Sequence, residues 1–218
     1  MSLKSNLRQC GNGHFMSYQG RPSASPVIAG LFAAGVIDSA ASVLDIGCFD
    51  GTDCLALLAW GVQEVHGIDI EQEHVNKAYR RAQLLAARLR LPGSQSFAFH
   101  CDSITRLHRC FHPRQFNVVI DSLCWNNISV DHPAATPAYA RNIHRILKPQ
   151  GLFVLQFRQD RHPLRIDDPR TLPSSFDRFF DLGPLVTTHL AEHPQRRGQR
   201  GHAAIGITIG RRRRSPRK

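Results

Sequence analysis

The residues of this chain best spaced to do chemistry are acids within or at the ends of short apolar runs: Asp45, Asp69, Asp102 and Asp121. The first two share one stretch, Ser42 to Ile70. Val43-Leu44-Asp45-Ile46 reads as a buried strand, and Gly47-Cys48-Phe49-Asp50-Gly51 as a glycine turn. Thr52 to Trp60 carries a compact helical pattern, and Val65 to Ile68 is a second apolar run that ends on Asp69. Strand, turn, helix and strand in this order bind an adenosine-containing cofactor. The glycines let the backbone approach the ligand, and the acid after the second strand takes the ribose hydroxyls as a charge-assisted acceptor. A dinucleotide needs G-x-G-x-x-G, because its pyrophosphate sits on the helix N-terminus. Here Gly47 and Gly51 stand without a third glycine at the phosphate-facing place.

Other chemistry-bearing residues fit known sites less well. Cys101, His108, Cys110 and His112 match no zinc ligand frame. Cys124 reads as a small half-buried apolar residue rather than a nucleophile. If a base is needed, the candidates are Asp121, His14 and His162.

The elements that must position these groups alternate. Ser25-Pro26 is an N-cap followed by a first-turn proline, with Ile28, Leu31 and Phe32 at helical spacing and Gly35 closing the helix. Glu71 to Leu91 has the strongest helical period, with Val75, Ala78, Tyr79, Ala82, Leu85, Ala86 and Leu89 on one face. Strands are expected over Ser96–Cys101, running into Asp102-Ser103, and over Phe116–Ile120, running into Asp121. A helix from about Thr136 to Leu147 precedes a fifth strand, Leu152–Phe157. This alternation implies an α/β fold, a doubly wound and mostly parallel sheet whose strand C-termini share one ligand-binding edge. Leu185–Glu192 and His202–Ile209 read as two further strands joined by an arginine-rich turn. Residues 158–181 read as a loop with short helices over the site.

At 218 residues and 42% hydrophobic content the chain has room for one well-buried domain. No apolar run is long enough to span a bilayer, and the first twelve residues hold no signal-peptide core. Six scattered cysteines without a C-x-x-C pair point to a reducing, cytoplasmic setting. Net charge is +11, but six of the 28 Lys/Arg lie in Arg211–Lys218; the remaining 22 stand against 17 Asp/Glu, a net +5. The sequence therefore divides into an N-terminal arm (1–24), one domain (25–210) and a disordered basic tail (211–218). Such a tail is either a solvated charge run or a contact for nucleic acid or anionic surfaces.

Asp45-x-Gly47-x-x-x-Gly51 resembles motif I of the class I S-adenosylmethionine methyltransferases, D-x-G-x-G-x-G, with Phe49 at the middle glycine. A side chain there is tolerated only if it points away from the methionine part of the cofactor. The resemblance covers roughly residues 25–210. It implies a Rossmann-like, seven-stranded, mostly parallel sheet ending in a C-terminal antiparallel hairpin strand, and S-adenosylmethionine as the cofactor. It places Asp45, Gly47, Cys48 and Gly51 at the methionine end, Asp69 on the ribose and Ile70 on the adenine. Asp102, helped by Ser103, would meet the adenine amino group, and Asp121 would lie nearest the transferred methyl.

The proline pair of base-amino enzymes and the Pro-Cys of cytosine-C5 enzymes are absent after Asp121. The fifth strand ends in Gln156-Phe157-Arg158, so the acid that metal-dependent catechol enzymes need there is missing. Tyr18-Gln19-Gly20-Arg21-Pro22-Ser23, with the Asp121 segment, resembles small-molecule methyltransferases of the tellurite-resistance and thiol-methylating kind. That likeness implies an N-terminal arm folded over the cofactor, with Tyr18 and His14 beside Asp121 as catalytic candidates and Arg21, Trp125 and Arg158 at the substrate. The expected acceptor is a small molecule. The alternative is an RNA- or protein-directed enzyme that uses Arg196, Arg197, Arg200 and the tail.

Overall fold

A computed structural model describes residues 24–125, 128, 133–158, 174–183, 186–189, 204–214 and 216. His14, Tyr18, Arg21, His162, Arg196, Arg197 and Arg200 lie outside them. Helix α1 (Pro26–Ala33) starts as the sequence predicts, with Ser25 as N-cap and proline at the first turn. Then follow β1 (Ser42–Ile46), α2 (Thr52–Ala59), β2 (Glu64–Asp69), α3 (Gln72–Leu89) and β3 (Ser96–Cys101). A short helix α4 (Leu107–Cys110) leads to β4 (Phe116–Ser122), and α5 (Thr136–Ile146) to β5 (Leu147–Arg158). The chain continues with α6 (Ser174–Phe179), β6 (Phe180–Leu182), β7 (Val186–His189) and β8 (Ala204–Arg212).

The strands lie in the order β3-β2-β1-β4-β5-β8-β6, with β7 also paired to β8. β1 to β5 are parallel, and β8 runs antiparallel between β5 on one side and β6 and β7 on the other. Seven strand positions are thus filled by eight strands. The outer one is split between β6, against residues 210–212, and β7, against 204–207. The expected hairpin is present, but β6 was not foreseen.

Alternation along the strands builds two cores. Leu44, Val119, Phe153 and Leu155 face one side, with Tyr139, Ile143 and Ile146 of α5 and Phe176 of α6. Val43, Val118, Ile120 and Val154 face the other, under α1, α2 and α3. Period-2 side chains buried on both faces are what a doubly wound sheet requires. In α3 the buried stripe is Val75, Ala78, Ala82 and Leu85, while Tyr79 and Leu89, expected on it, are exposed. They flank the stripe because α3 covers only the edge of the sheet.

The boundary of the basic tail needs correction. β8 continues through Arg211 and Arg212. Arg213 Nε donates to the carbonyls of Asp177 (3.0 Å) and Phe180 (3.1 Å), and its Nη1 meets Asp181 at 2.6 Å. These carbonyls and one carboxylate give a guanidinium enough acceptors to leave solution. No described helix is long and apolar enough to cross a membrane.

Candidate functional site

Parallel strands bring Ile46, Ile68 and Asp121 to one level, since Ile46 pairs with both Ile68 and Asp121. The glycine turn leaves β1 at this edge. Gly47 and Gly51 sit at φ +70° and +77°, a region closed to most side chains. Space forbids a side chain as well: a Cβ on Gly47 would stand 2.0 Å from Cys124 Sγ, and one on Gly51 2.8 Å from Ala78 Cβ. Phe49 keeps the left-handed backbone of a glycine, at φ +50°. Its ring turns outward, edge-on to His74 at 4.1 Å and 5.9 Å from Lys77 Nζ.

Asp69 is the hub of this turn. Its Oδ2 accepts from the Phe49 N–H at 2.9 Å, its Oδ1 from the Glu71 N–H at 3.0 Å, and His74 Nδ1 stands 3.3 Å from Oδ1. Two carboxylate oxygens offer about four acceptor sites, so capacity remains for a ligand hydroxyl. Beside it Ile70 is 69% exposed, an apolar surface that the described residues leave open. Asp102 begins the next loop. Its Oδ1 takes the Ser103 N–H (2.6 Å) and Arg106 Nε (2.7 Å), and these donors hold its carboxyl below the usual range although burial opposes them. Ser103 caps the following turn through the Thr105 N–H.

Asp45 is buried on the α2 side. Cys54 Sγ lies 3.7 Å from its Oδ2, while Oδ1 has no partner among the described residues. Burial, then the charge of Asp53, pushes its carboxyl well above the ordinary range. Cys48 is buried beside it, its thiol also pushed up by burial.

Asp121 is placed differently from the expectation of a base or ligand contact. It is fully buried. Its oxygens accept from the N–H groups of Cys124 (2.7 Å) and Trp125 (3.0 Å) and from the Tyr139 hydroxyl. Burial raises its carboxyl to about 7, with the Tyr139 hydrogen bond pulling the other way. Asp121 therefore caps the helical turn that follows β4, as an acid ahead of a turn does. Trp125, expected at the substrate, is buried as well, its ring edge-on to Phe157 (5.8 Å) and Phe176 (5.7 Å). A large flat side chain one turn past a buried cap faces the core. The backbone of Arg158 ends β5, and its side chain lies outside what is described.

Sequence reasoning missed His74 and Tyr139. The signal for His74 was a ring nitrogen in the first turn of the helix after a strand-end acid. Tyr139 gave no signal beyond its place on an apolar helix face.

The order of strands, the glycine turn and the strand-end acid define a Rossmann-like, class I methyltransferase fold, whose members draw their methyl group from S-adenosylmethionine. Residues 37–169 match the methyltransferase-domain family, and the chain belongs to it. No curated protein matches. Among solved structures, one concerned with conversion of a disulfide bond into a thioacetal group during echinomycin biosynthesis is similar, with TM-score 0.66, 21% identity, and 88% of this chain and 84% of the other covered. A TehB-like S-adenosylmethionine-dependent methyltransferase from Corynebacterium glutamicum aligns with TM-score 0.60, 15% identity and coverage of 85% and 87%. An arsenic(III) S-adenosylmethionine methyltransferase from Chlamydomonas reinhardtii aligns with TM-score 0.57, 21% identity and coverage of 83% and 65%.

Proposed function

We propose that this protein transfers a methyl group from S-adenosylmethionine to a small-molecule acceptor by in-line displacement, in the cytosol. The cofactor supplies a methyl carbon made electrophilic by its sulfonium. The protein's task is then to align acceptor and methyl and to exclude water. Asp69 is the residue we assign to the ribose, with Ile70 against the adenine and the Gly47–Gly51 turn with Asp45 at the methionine end. The observation that carries this is Asp69 itself, oriented by two backbone N–H groups, with acceptor capacity left and an exposed apolar neighbour. The fit extends to Asp45 Oδ1, a buried acceptor with no partner among the described residues. Asp102 is half engaged by Arg106 and keeps Oδ2 for an amino donor, with Cys110 Sγ 3.8 Å away.

The sealing of Asp121 narrows the acceptor. Its carboxylate is spent on two N–H groups and a hydroxyl, so we assign it a positioning role rather than that of a base. An acceptor that arrives already nucleophilic at neutral pH, such as a thiolate or a metalloid oxyanion, needs no base. The neighbours named for a disulfide-to-thioacetal conversion and for arsenic(III) agree in kind. Ser25, near the start of the described residues, lies at this edge, because its N–H donates to Asp53 in the first turn of α2. That is where Tyr18, His14 and Arg21 would need to start from to reach the methyl group.

The test is incubation with methyl-labelled S-adenosylmethionine and an extract split into small-molecule, RNA and protein pools. Label in the small-molecule pool is the expected result; label confined to RNA or protein would overturn the acceptor class and leave methyl transfer standing.

A further inference from the structure

The charge left over by the site gathers at the opposite edge of the sheet. Arg211 pairs with Leu152 at the start of the β5 ladder, and Arg212 with Phe180. Leu152 in turn pairs with Val118, three residues before Asp121 on β4. Arg114 sits in the turn before β4, and its N–H donates to the Arg145 carbonyl at the end of α5 (2.9 Å). Arg114, Arg145, Lys148, Arg211, Arg212 and Arg214 therefore share the N-terminal edge of the parallel strands, a strand length away from Asp69 and the glycine turn.

This cluster is short of counter-charge. Asp181 is committed to Arg213 (2.6 Å), and Glu64 to Gln115 (3.1 Å) and His66 (3.0 Å). Lys148 Nζ has the neutral partners Ser42 Oγ (3.1 Å) and Asn117 Oδ1 (3.0 Å), and Arg211 has Gln150 Oε1 (3.2 Å). Arg212 is the least satisfied: its Nε is sealed from solvent with no hydrogen-bond partner among the described residues. Burial, and then the like charge of Arg114, lowers its affinity for its own proton. Arginines gathered at one edge with neutral partners in place of carboxylates make a place for an anion with several acceptor oxygens.

We propose that Arg114 and Arg212, flanked by Arg145, Arg211 and Arg214, form a phosphate-binding surface for the backbone of a nucleic acid, separate from the methyl-transfer edge. Arginine suits this ligand because its planar fork meets phosphate oxygens two at a time. A membrane surface fits less well. Among the described residues the exposed large apolar side chains (Phe49, Ile70, Tyr79, Leu84 and Leu89) belong to the glycine turn, the strand end and α3, on the β3 flank of the sheet and away from the β5–β8 flank that carries these arginines. Because the surface and the acceptor site occupy opposite edges, the bound strand is a tether and not the methyl acceptor.

Fluorescence anisotropy of a labelled 20-nucleotide single-stranded RNA, titrated with the full-length protein across a salt series, tests this. Arg114→Gln and Arg212→Gln together should weaken binding about tenfold and flatten the log K against log salt slope by between one and two. Binding of S-adenosylhomocysteine and the melting temperature should not change. Arg114 is exposed, so Arg114→Gln alone serves as the variant safe for folding, with about half the loss of slope. Three results would overturn the proposal: no RNA binding by the parent protein, equal binding by the double variant, or loss only when residues 214–218 are removed. Tighter binding to vesicles containing one-third phosphatidylserine than to RNA would also overturn it, in favour of a membrane surface.

Discussion

Asp69 and Asp121 occupy the same place on neighbouring parts of one sheet, each at the C-terminal end of a parallel strand, yet they have been put to opposite uses. Both hold neighbouring backbone by accepting two of its N–H groups, Asp69 from the glycine turn and from Glu71, Asp121 from the turn that follows it. At Asp69 the donors come from the glycine turn and the start of α3, and the neighbouring Ile70 is exposed. At Asp121 the Tyr139 hydroxyl arrives from α5 and completes the set begun by the Cys124 and Trp125 N–H groups, and the acid is fully buried. The difference teaches that the covering helix decides how much of a strand-end acid stays open: His74 meets one Asp69 oxygen at 3.3 Å and leaves acceptor capacity, whereas the Tyr139 hydroxyl completes the set at Asp121.

The strongest way to break the comparison is to remove Asp121. Asp121→Ala strands the Tyr139 hydroxyl and two N–H groups in the core, and should cost about 3 kcal/mol or more in urea unfolding. Were Asp121 instead a ligand contact, cofactor affinity would fall with stability unchanged. Asp69→Ala should do the reverse. S-adenosylhomocysteine affinity, measured by calorimetry, should drop by about 1.5–3 kcal/mol for a lost charged hydrogen-bond pair, with a smaller fall in melting temperature. Unchanged affinity there would remove Asp69 from the site.

A pH series sharpens the contrast further. Asp121 is raised to about 7 from 3.8, so the folded state holds its proton more tightly than the unfolded chain does. Its contribution is fully present below pH 3.8 and is lost as pH rises through about 7. Asp121→Asn should therefore gain stability relative to the parent as pH climbs across that window. His66 and His100, lowered chiefly by burial, act with the opposite sign in both proteins and cancel in the difference. The smallest effect is expected at Phe49→Gly. It relieves a left-handed non-glycine residue worth about 1–2 kcal/mol but gives up the ring contacts with His74 and Lys77. The melting temperature should move by only a few degrees, in a direction that reports which matters more.

The sequence made the β1-to-β3 half plain because its chemistry is local: the glycine turn, the helix and the strand-end acid lie within one stretch, and spacing alone orders them. The reading failed where burial is decided from afar. The Asp121 carboxylate and its hydroxyl donor Tyr139 are 18 residues apart and meet only because α5 packs across β4. Trp125 looked like a substrate contact for the same reason. The tail was misjudged because charge density suggests disorder, whereas a guanidinium given three oxygens, as Arg213 is, can end a strand. The break between β6 and β7 left no periodic signal, since β6 is only three residues long.

The insertion of β8 between β5 and the outer pair has a consequence for how the chain reaches this state. β5 is apolar on both faces, and it has no partner on its outer side until Arg211 comes round to Leu152. Closure at that distance in sequence is slow. Until it happens, newly made chains expose a long, flat, hydrophobic strand edge of the kind that pairs with copies of itself. The docking of β8 then does more than add a strand: it takes out of solvent the edge through which unfinished molecules would pair.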